Sequence, residues 1–241
     1  MIKLTIDGRE LQAEEGKTIL EVARENGIHI PTLCYHEEVS PYGACRLCMV
    51  EVTQKGKTRV VASCLYPVAE GISVKTNSPQ ISNVRRTAIE LLLARCPDSE
   101  VIQEMAHELG VEKPAFNTDK DKHKCILCAL CTRVCEEVVG VSAISLVNRG
   151  VDRQMATPFF DCSEACIGCG SCAYVCPTKA ISFEDVGDKR VIEMPNVSME
   201  FKLKKCSKCG KYWAPERQLD YIAKEAGLAP EAFDVCPDCR D

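Results

Sequence analysis

Two short runs of cysteine constrain this chain more than anything else in it. Cys125, Cys128, Cys131 and Cys135 form one run and Cys166, Cys169, Cys172 and Cys176 the other, each spaced C-x2-C-x2-C-x3-C. Three thiolates at three-residue intervals wrap three corners of one 4Fe-4S cube, and the fourth points away to a second cube. The spacing therefore assigns Cys125, Cys128, Cys131 and Cys176 to one cluster, and Cys166, Cys169, Cys172 and Cys135 to the other. Zinc and disulfides are the competing explanations. Structural zinc takes four ligands, usually as two separated C-x2-C pairs, and two quartets in cluster spacing exceed what one zinc needs. Disulfides need an oxidising compartment, and the opening Met1-Ile2-Lys3-Leu4-Thr5-Ile6-Asp7 lacks the apolar core of a secretory signal. A reducing, cytoplasmic setting is expected.

Composition sets the scale of the fold. The chain has 241 residues, 18 cysteines and only 5% aromatics. Many thiols and few large rings favour several small domains, each held by metal instead of by a large apolar core. No apolar run approaches the length needed to cross a bilayer, so the protein is not expected to be membrane-spanning. The formal net charge is −5, and four thiolate-bound sites of about −2 each would take the loaded protein to about −13. No nucleic acid partner is expected of so acidic a protein.

Residues 1–77 have the pattern of a small mixed domain. Ile2, Leu4 and Ile6 alternate with polar residues, Asp7-Gly8 is a hairpin turn signal, and Leu11 and Ala13 resume the alternation. Thr18 and Glu21 make a capping box ahead of Ile19, Leu20, Val22 and Ala23, and Gly27 and then Pro31 end that helix. Met49–Val52 and Thr58–Val61 bracket the turn Lys55-Gly56, and Ile72–Val74 supplies a last short strand. Strand, strand, helix, strand, strand is the order of a β-grasp. Into it falls another ligand set, Cys34, Cys45, Cys48 and Cys64.

A helical linker, 78–119, follows. It comprises a helix Gln80–Arg95 with Ile81, Val84, Ala88 and Leu92 on one face, and a second helix from about Ser99 to Leu109. The dicluster domain, 120–185, repeats at 41 positions, and the pairs Ala143-Ile144 and Ala180-Ile181 follow the two runs as expected of a pseudo-twofold. An insertion from Val147 to Asp161 is expected to form a hairpin turning at Arg149-Gly150 and to offer a docking element. Glu136 follows Cys135 where Pro177 follows Cys176, which adds negative charge near one cluster and should lower its potential. Cys162 is surplus to the eight ligands, a buried or partner-facing thiol. Residues 186–200 read as a linker hairpin around Gly187-Asp188.

The last module, 201–241, carries Cys206, Cys209, Cys236 and Cys239 as two C-x2-C knuckles, separated by a helix from Pro215 to Ala226 that packs Leu219, Ile222 and Ala223 and stops at Gly227. This zinc-ribbon-like arrangement reads first as one structural zinc, and a third 4Fe-4S cluster has the same ligand set. The surrounding Lys202, Lys204, Lys205, Lys208 and Lys211 form a solvated face that offsets thiolate charge or anchors an acidic partner.

The loop Pro41-Tyr42-Gly43-Ala44-Cys45-Arg46-Leu47-Cys48-Met49-Val50-Glu51-Val52 closely resembles that of the 2Fe-2S domain opening three kinds of protein. These are the large iron-sulfur subunit of respiratory NADH dehydrogenase, the electron-transfer diaphorase subunit of NAD-linked NiFe hydrogenases, and multi-cluster iron hydrogenases. The resemblance spans roughly residues 1–185 and implies that Cys34, Cys45, Cys48 and Cys64 hold a 2Fe-2S cluster. Gly43 and Ala44 would then let backbone N–H groups approach the sulfides, which raises the potential. The chain departs from that family at one place. Its members carry one more 4Fe-4S cluster on a histidine and three cysteines, whereas Leu91–Lys124 here offers only Cys96, with His107 and His123 some way off. That cluster is expected to be absent, and Cys96 to be a small buried hydrophobe. The fold class expected is α+β: an N-terminal β-grasp 2Fe-2S ferredoxin domain, a helical linker, a bacterial-type dicluster ferredoxin domain and a small C-terminal four-cysteine module.

No G-x-G-x-x-G follows a strand, and there is no P-loop and no helix with paired histidines, so no nucleotide or substrate site is legible. A chain of electron carriers without a substrate site is a wire. The resemblance implies its ends: a flavin-containing NAD(P)-binding subunit on one side, and a NiFe hydrogenase, formate dehydrogenase or electron-bifurcating unit on the other. The alternatives are a freestanding polyferredoxin and a redox-sensing iron-sulfur protein.

Overall fold

A computed structural model describes residues 1–118 and 124–240. The chain forms two compact units, Met1–Cys128 and Ala129–Asp241. Lys120, where the dicluster domain was expected to begin, and His123 lie outside the described residues.

In the first unit, β1 (Ile2–Ile6) and β2 (Arg9–Ala13) pair antiparallel across Asp7-Gly8. Both turn residues have positive φ, 49° and 80°, the mirror-image turn whose twist suits a two-residue hairpin. Helix α1 (Ile19–Glu25) starts on the expected capping box: the Glu21 N–H donates to Thr18 Oγ1 at 3.3 Å, and the Thr18 N–H donates to Glu21 Oε2 at 2.7 Å. Strands β3 (Met49–Gln54) and β4 (Lys57–Ala62) turn at Lys55-Gly56, and β5 (Ser73–Lys75) enters between β1 and β3. The sheet order is β2-β1-β5-β3-β4, with β1 and β5 parallel, as a β-grasp requires. The core places Ile19, Leu20 and Val22 of α1 against Leu4, Ile6, Val50, Val52 and Val74 of the strands. Each such aliphatic side chain stabilises the fold by about 1.5–3 kcal/mol on burial.

Helix α2 (Pro79–Arg95) is capped by Ser78, whose Oγ accepts the Ile81 N–H at 3.2 Å, and Pro79 occupies its first turn. Its buried face differs from the expected one. Ile81, Arg85, Ile89 and Leu93 point inward, one turn apart, while Val84, Ala88 and Leu92 flank that stripe half-buried. The apolar periodicity misled because the inward row includes an arginine. Cys96 caps α2 and is buried, as a small apolar residue would be, and α3 (Glu100–Glu108) follows.

The second unit opens with the single turn α4 (Leu130–Arg133), which runs on into a π-helical turn over Val134–Val138. The insertion forms its hairpin from β6 (Ser145–Val147) and β7 (Gln154–Ala156). Then come α5 (Ser171–Tyr174), β8 (Ser182–Val186), β9 (Lys189–Met194), β10 (Val197–Lys205), β11 (Tyr212–Pro215) and α6 (Glu216–Ala226). The Gly187-Asp188 hairpin is present, and the residues beyond it are strand too: β8 to β11 make one antiparallel sheet in the order β11-β10-β9-β8. Strand β10 buries Met199, Phe201 and Leu203 alternately, so a single element runs from the hairpin into the four-cysteine module. Helix α6 buries Leu219 and Ala223 and stops at Gly227 (φ +64°), but Ile222 faces solvent, one residue off the covered stripe.

Candidate iron-sulfur and metal centres

The β-grasp brings Cys34, Cys45, Cys48 and Cys64 together in two pairs. Cys34 and Cys45 Sγ lie 3.4 Å apart, as do Cys48 and Cys64 Sγ, and all four residues are buried. A disulfide needs about 2.05 Å, whereas two thiolates bound tetrahedrally to one iron stand at nearly this separation. Each pair therefore suits one iron of a two-iron centre. Accepting a hydrogen bond from the Cys34 thiol pulls the Cys45 thiol below its usual range, and contact with Cys64 does the same for Cys48. The loop is set by backbone geometry. Gly43 takes φ +69°, a left-handed conformation that favours glycine, with the Leu65 side chain lying over it. The Cys45 N–H donates to Cys34 Sγ at 3.4 Å. The buried Ser63 hydroxyl, next in sequence to Cys64, helps hold the Cys48 thiol down, a donor suited to a sulfur-rich group.

One residue at this centre escaped the sequence reading. Arg85, on the inward face of α2, donates from Nε to the Leu47 carbonyl and from Nη2 to the Met49 carbonyl, each at 2.9 Å, straddling Cys48. The partners are 36 and 38 positions away in sequence. An arginine inside an apolar helical row was the available signal.

In the second unit, Cys135, Cys166, Cys169 and Cys172 line one cavity with Ile144, Ile167, Ile192 and Met194, the quartet that the spacing assigned to one cube. Burial pushes the Cys166 and Cys172 thiols up to about 11 and about 12, so these sulfurs favour a proton or a metal over free charge. The pseudo-twofold appears in the backbone. Leu127 and Ala129 have positive φ (53° and 59°), and so do Gly168 and Gly170 (71° and 81°), 41 positions on. The Ala143 N–H donates to Cys135 Sγ and the Ala180 N–H to Cys176 Sγ, both at 3.2 Å. The halves diverge after the fourth cysteine, where Pro177 ends one turn and Glu136 allows the other to continue as a π-helix. Glu136 is exposed, so solvent screens its charge. Cys125 and Cys128 belong to the first unit and Cys131 and Cys176 to the second. Cys162 is half-buried beside the second run.

Cys206, Cys209, Cys236 and Cys239 have their Sγ atoms all within 4.8 Å of one another, and Cys209 and Cys236 Sγ are 3.8 Å apart. One tetrahedral ion with bonds of about 2.3 Å separates its thiolates by about 3.8 Å. A cube spreads them further, because each sits on its own iron. The amides of Cys209 and Cys236 point at Cys206 Sγ (3.5 and 3.3 Å) and pull that thiol down to about 6. Three of the five lysines are engaged within the module: Lys202 pairs with Glu216 at 3.0 Å, Lys204 with Asp234 at 2.7 Å, and Lys208 Nζ donates to the Cys239 carbonyl at 3.0 Å. The module also packs on the loop of the second run and on the turn that follows Cys135. The Phe201 ring covers Gly168, Arg217 Nη1 donates to the Ser163 and Cys166 carbonyls at 3.5 Å, and the Tyr221 hydroxyl donates to the Val139 carbonyl at 3.1 Å.

Comparison with known proteins agrees with this geometry. Residues 1–79 match a 2Fe-2S iron-sulfur cluster binding domain, and residues 124–180 and 165–238 match a 4Fe-4S dicluster domain. A crystal structure of NAD+-reducing [NiFe]-hydrogenase in the H2-reduced state superposes with a TM-score of 0.57 at 30% identity, over 65% of this chain and 74% of that one. The chain belongs to the iron-sulfur family of that hydrogenase chain. Curated relatives include an NADH-quinone oxidoreductase subunit of Rhizobium meliloti (strain 1021), 34% identical over 75% of this chain and 24% of its own length. The alpha subunit of the NADPH-Fe(3+) oxidoreductase of Geobacter sulfurreducens is 36% identical over 74% of this chain and 24% of its own. The HndD subunit of the NADP-reducing hydrogenase of Solidesulfovibrio fructosivorans is 35% identical over 75% and 36%. The chain thus spans about a quarter to a third of the length of these relatives. Among the described residues no helix is long and apolar enough to cross a membrane.

Proposed function

We propose that this chain is a relay that passes single electrons between an NAD(P)-linked flavoprotein and a second redox module such as a NiFe hydrogenase, a formate dehydrogenase or a bifurcating unit, in the cytoplasm. In this reading Cys34, Cys45, Cys48 and Cys64 hold a 2Fe-2S centre; Cys166, Cys169, Cys172 and Cys135 hold one cube; and Cys125, Cys128, Cys131 and Cys176 hold the other. Cys206, Cys209, Cys236 and Cys239 hold zinc, in a diaphorase-type subunit. The observation that carries the reading is the gathering of separate thiol quartets in one chain, one paired as a two-iron centre needs and one lining an apolar cavity. Bound clusters would supply one-electron chemistry. The chain's own residues bury the sulfurs, donate amides to Cys135 and Cys176, and hold the loops rigid, which fixes spacing and potentials. For the tail, zinc is favoured by the close Sγ spacing and the amides aimed at Cys206.

Anaerobic affinity purification from the native cells tests the relay. A co-purifying flavoprotein through which NAD(P)H reduces the clusters is expected. A chain that purifies alone and ignores NAD(P)H even when that fraction is added back would indicate a freestanding polyferredoxin.

A further inference from the structure

Arg85 is a buried cation with no carboxylate in contact with it; the Asp7 carboxylate acts on it only through space. It is only 8% exposed, and among the described residues no carboxylate lies within ion-pair distance of it. The acidic side chains of the adjoining elements are engaged elsewhere: Glu51 accepts the Ser78 hydroxyl, and Asp7 accepts the Thr76 N–H and hydroxyl at 2.8 and 2.6 Å. Two backbone carbonyls use part of its fork, but they carry no net charge to offset a guanidinium taken out of water. What these carbonyls have in common is the residue between them, Cys48, a proposed ligand of the 2Fe-2S centre. A burial so unfavourable for the empty protein becomes favourable beside a dianionic group.

We propose that Arg85 is a positioning residue for the 2Fe-2S centre and its electrostatic counter-charge. It fixes the Leu47–Met49 backbone around Cys48 and raises the centre's reduction potential. The inference rests on the assignment of Cys34, Cys45, Cys48 and Cys64 to that centre. One-electron reduction makes no bond and takes the four-thiolate centre from −2 to −3, so a fixed positive charge at short range through low dielectric stabilises the reduced form more than the oxidised one. The contact also links α2 to the ligand loop, which places the helix after the β-grasp in control of that loop.

The test uses the full chain, purified anaerobically, with Arg85→Gln and Arg85→Lys. The 2Fe-2S potential is read by redox titration followed by electron paramagnetic resonance, with the 4Fe-4S signals as internal control. In Arg85→Gln the 2Fe-2S midpoint should fall by at least tenfold in the one-electron equilibrium, about 59 mV, with the 4Fe-4S midpoints unmoved. Arg85→Lys, which keeps the charge and loses the two-carbonyl fork, should recover most of the potential while altering the line shape of the signal. An unchanged or raised midpoint in Arg85→Gln overturns the proposal, and so does an Arg85→Lys midpoint as low as that of Arg85→Gln. If Arg85→Gln retains no 2Fe-2S signal, Arg85→Lys decides: a midpoint well within tenfold of the parent supports the counter-charge, and a fall of tenfold or more overturns it. A parent protein lacking any 2Fe-2S signal would sink the ligand assignment, a different failure.

Discussion

Arg85 and Arg190 hold two cluster loops by the same contact and differ in charge. Arg190 Nη1 donates to the Gly168 carbonyl at 3.3 Å, inside the Cys166–Cys172 run, as Arg85 does to the carbonyls beside Cys48. Arg190, however, pairs in a fork with Asp185 at 2.7 and 2.9 Å and stacks on Phe183 at 4.7 Å. Its charge is cancelled locally, and what remains is shape. Arg85 has no such partner in contact, and its charge stands beside the Cys48 loop. A guanidinium near a cluster is thus a strut or an electrostatic lever according to whether a carboxylate has claimed it first.

The Arg190 loop should break most readily by steric means. Gly168 lies at φ +71°, and a Cβ would fall 2.6 Å from the Phe201 ring, so Gly168→Ala should destabilise the unit by about 1–3 kcal/mol. Iron analysis should show close to one cube lost, and the 2Fe-2S signal should persist. Next in size is the tail. Cys209→Ser should remove the bound metal of the four-cysteine module and, because Phe201 and Arg217 hold the loop of the second run and Tyr221 the turn after Cys135, should shorten the lifetime of the cube signal in air several-fold without altering the initial iron content. Asp185→Asn should turn the strut into a lever. Freed of its partner, Arg190 should raise that cube's potential, by less than the tenfold expected at Arg85, because Asp185 is exposed and solvent screens the site. The smallest effect is expected at Ser78→Ala, which removes the N-cap of α2 at about 1 kcal/mol in thermal unfolding and leaves the 2Fe-2S midpoint in place. A midpoint shift there would mean that the whole helix or the released Glu51 carboxylate, and not Arg85 alone, sets the potential.

What the sequence made legible was local. The cysteine runs, the Asp7-Gly8 and Lys55-Gly56 hairpins, the Thr18 capping box and the limits of α2 and α3 each depend on residues within a turn or two of one another. What was missed depends on partners far along the chain. The inward face of α2 was misjudged because Arg85 meets the Leu47 and Met49 carbonyls across 38 and 36 positions, a burial no helical period announces. Residues 186–200 looked like a linker, although the alternation of Met199, Phe201 and Leu203 was available to be read as a long strand. The π-turn after Cys135 needed the observation that only one half of the repeat has Pro177 to stop it. The cysteine spacings stood out in the sequence because metal ligation imposes its spacing on the chain.

The central claim, a one-chain relay of one 2Fe-2S centre and two cubes closed by a structural zinc, is tested most directly by iron, acid-labile sulfide and zinc per chain on anaerobically purified protein. The account predicts about ten irons, about ten sulfides and one zinc. About fourteen irons without zinc would make the tail a third cube and contradict the tetrahedral-ion reading, and about six irons would contradict the pairing of the two cysteine runs.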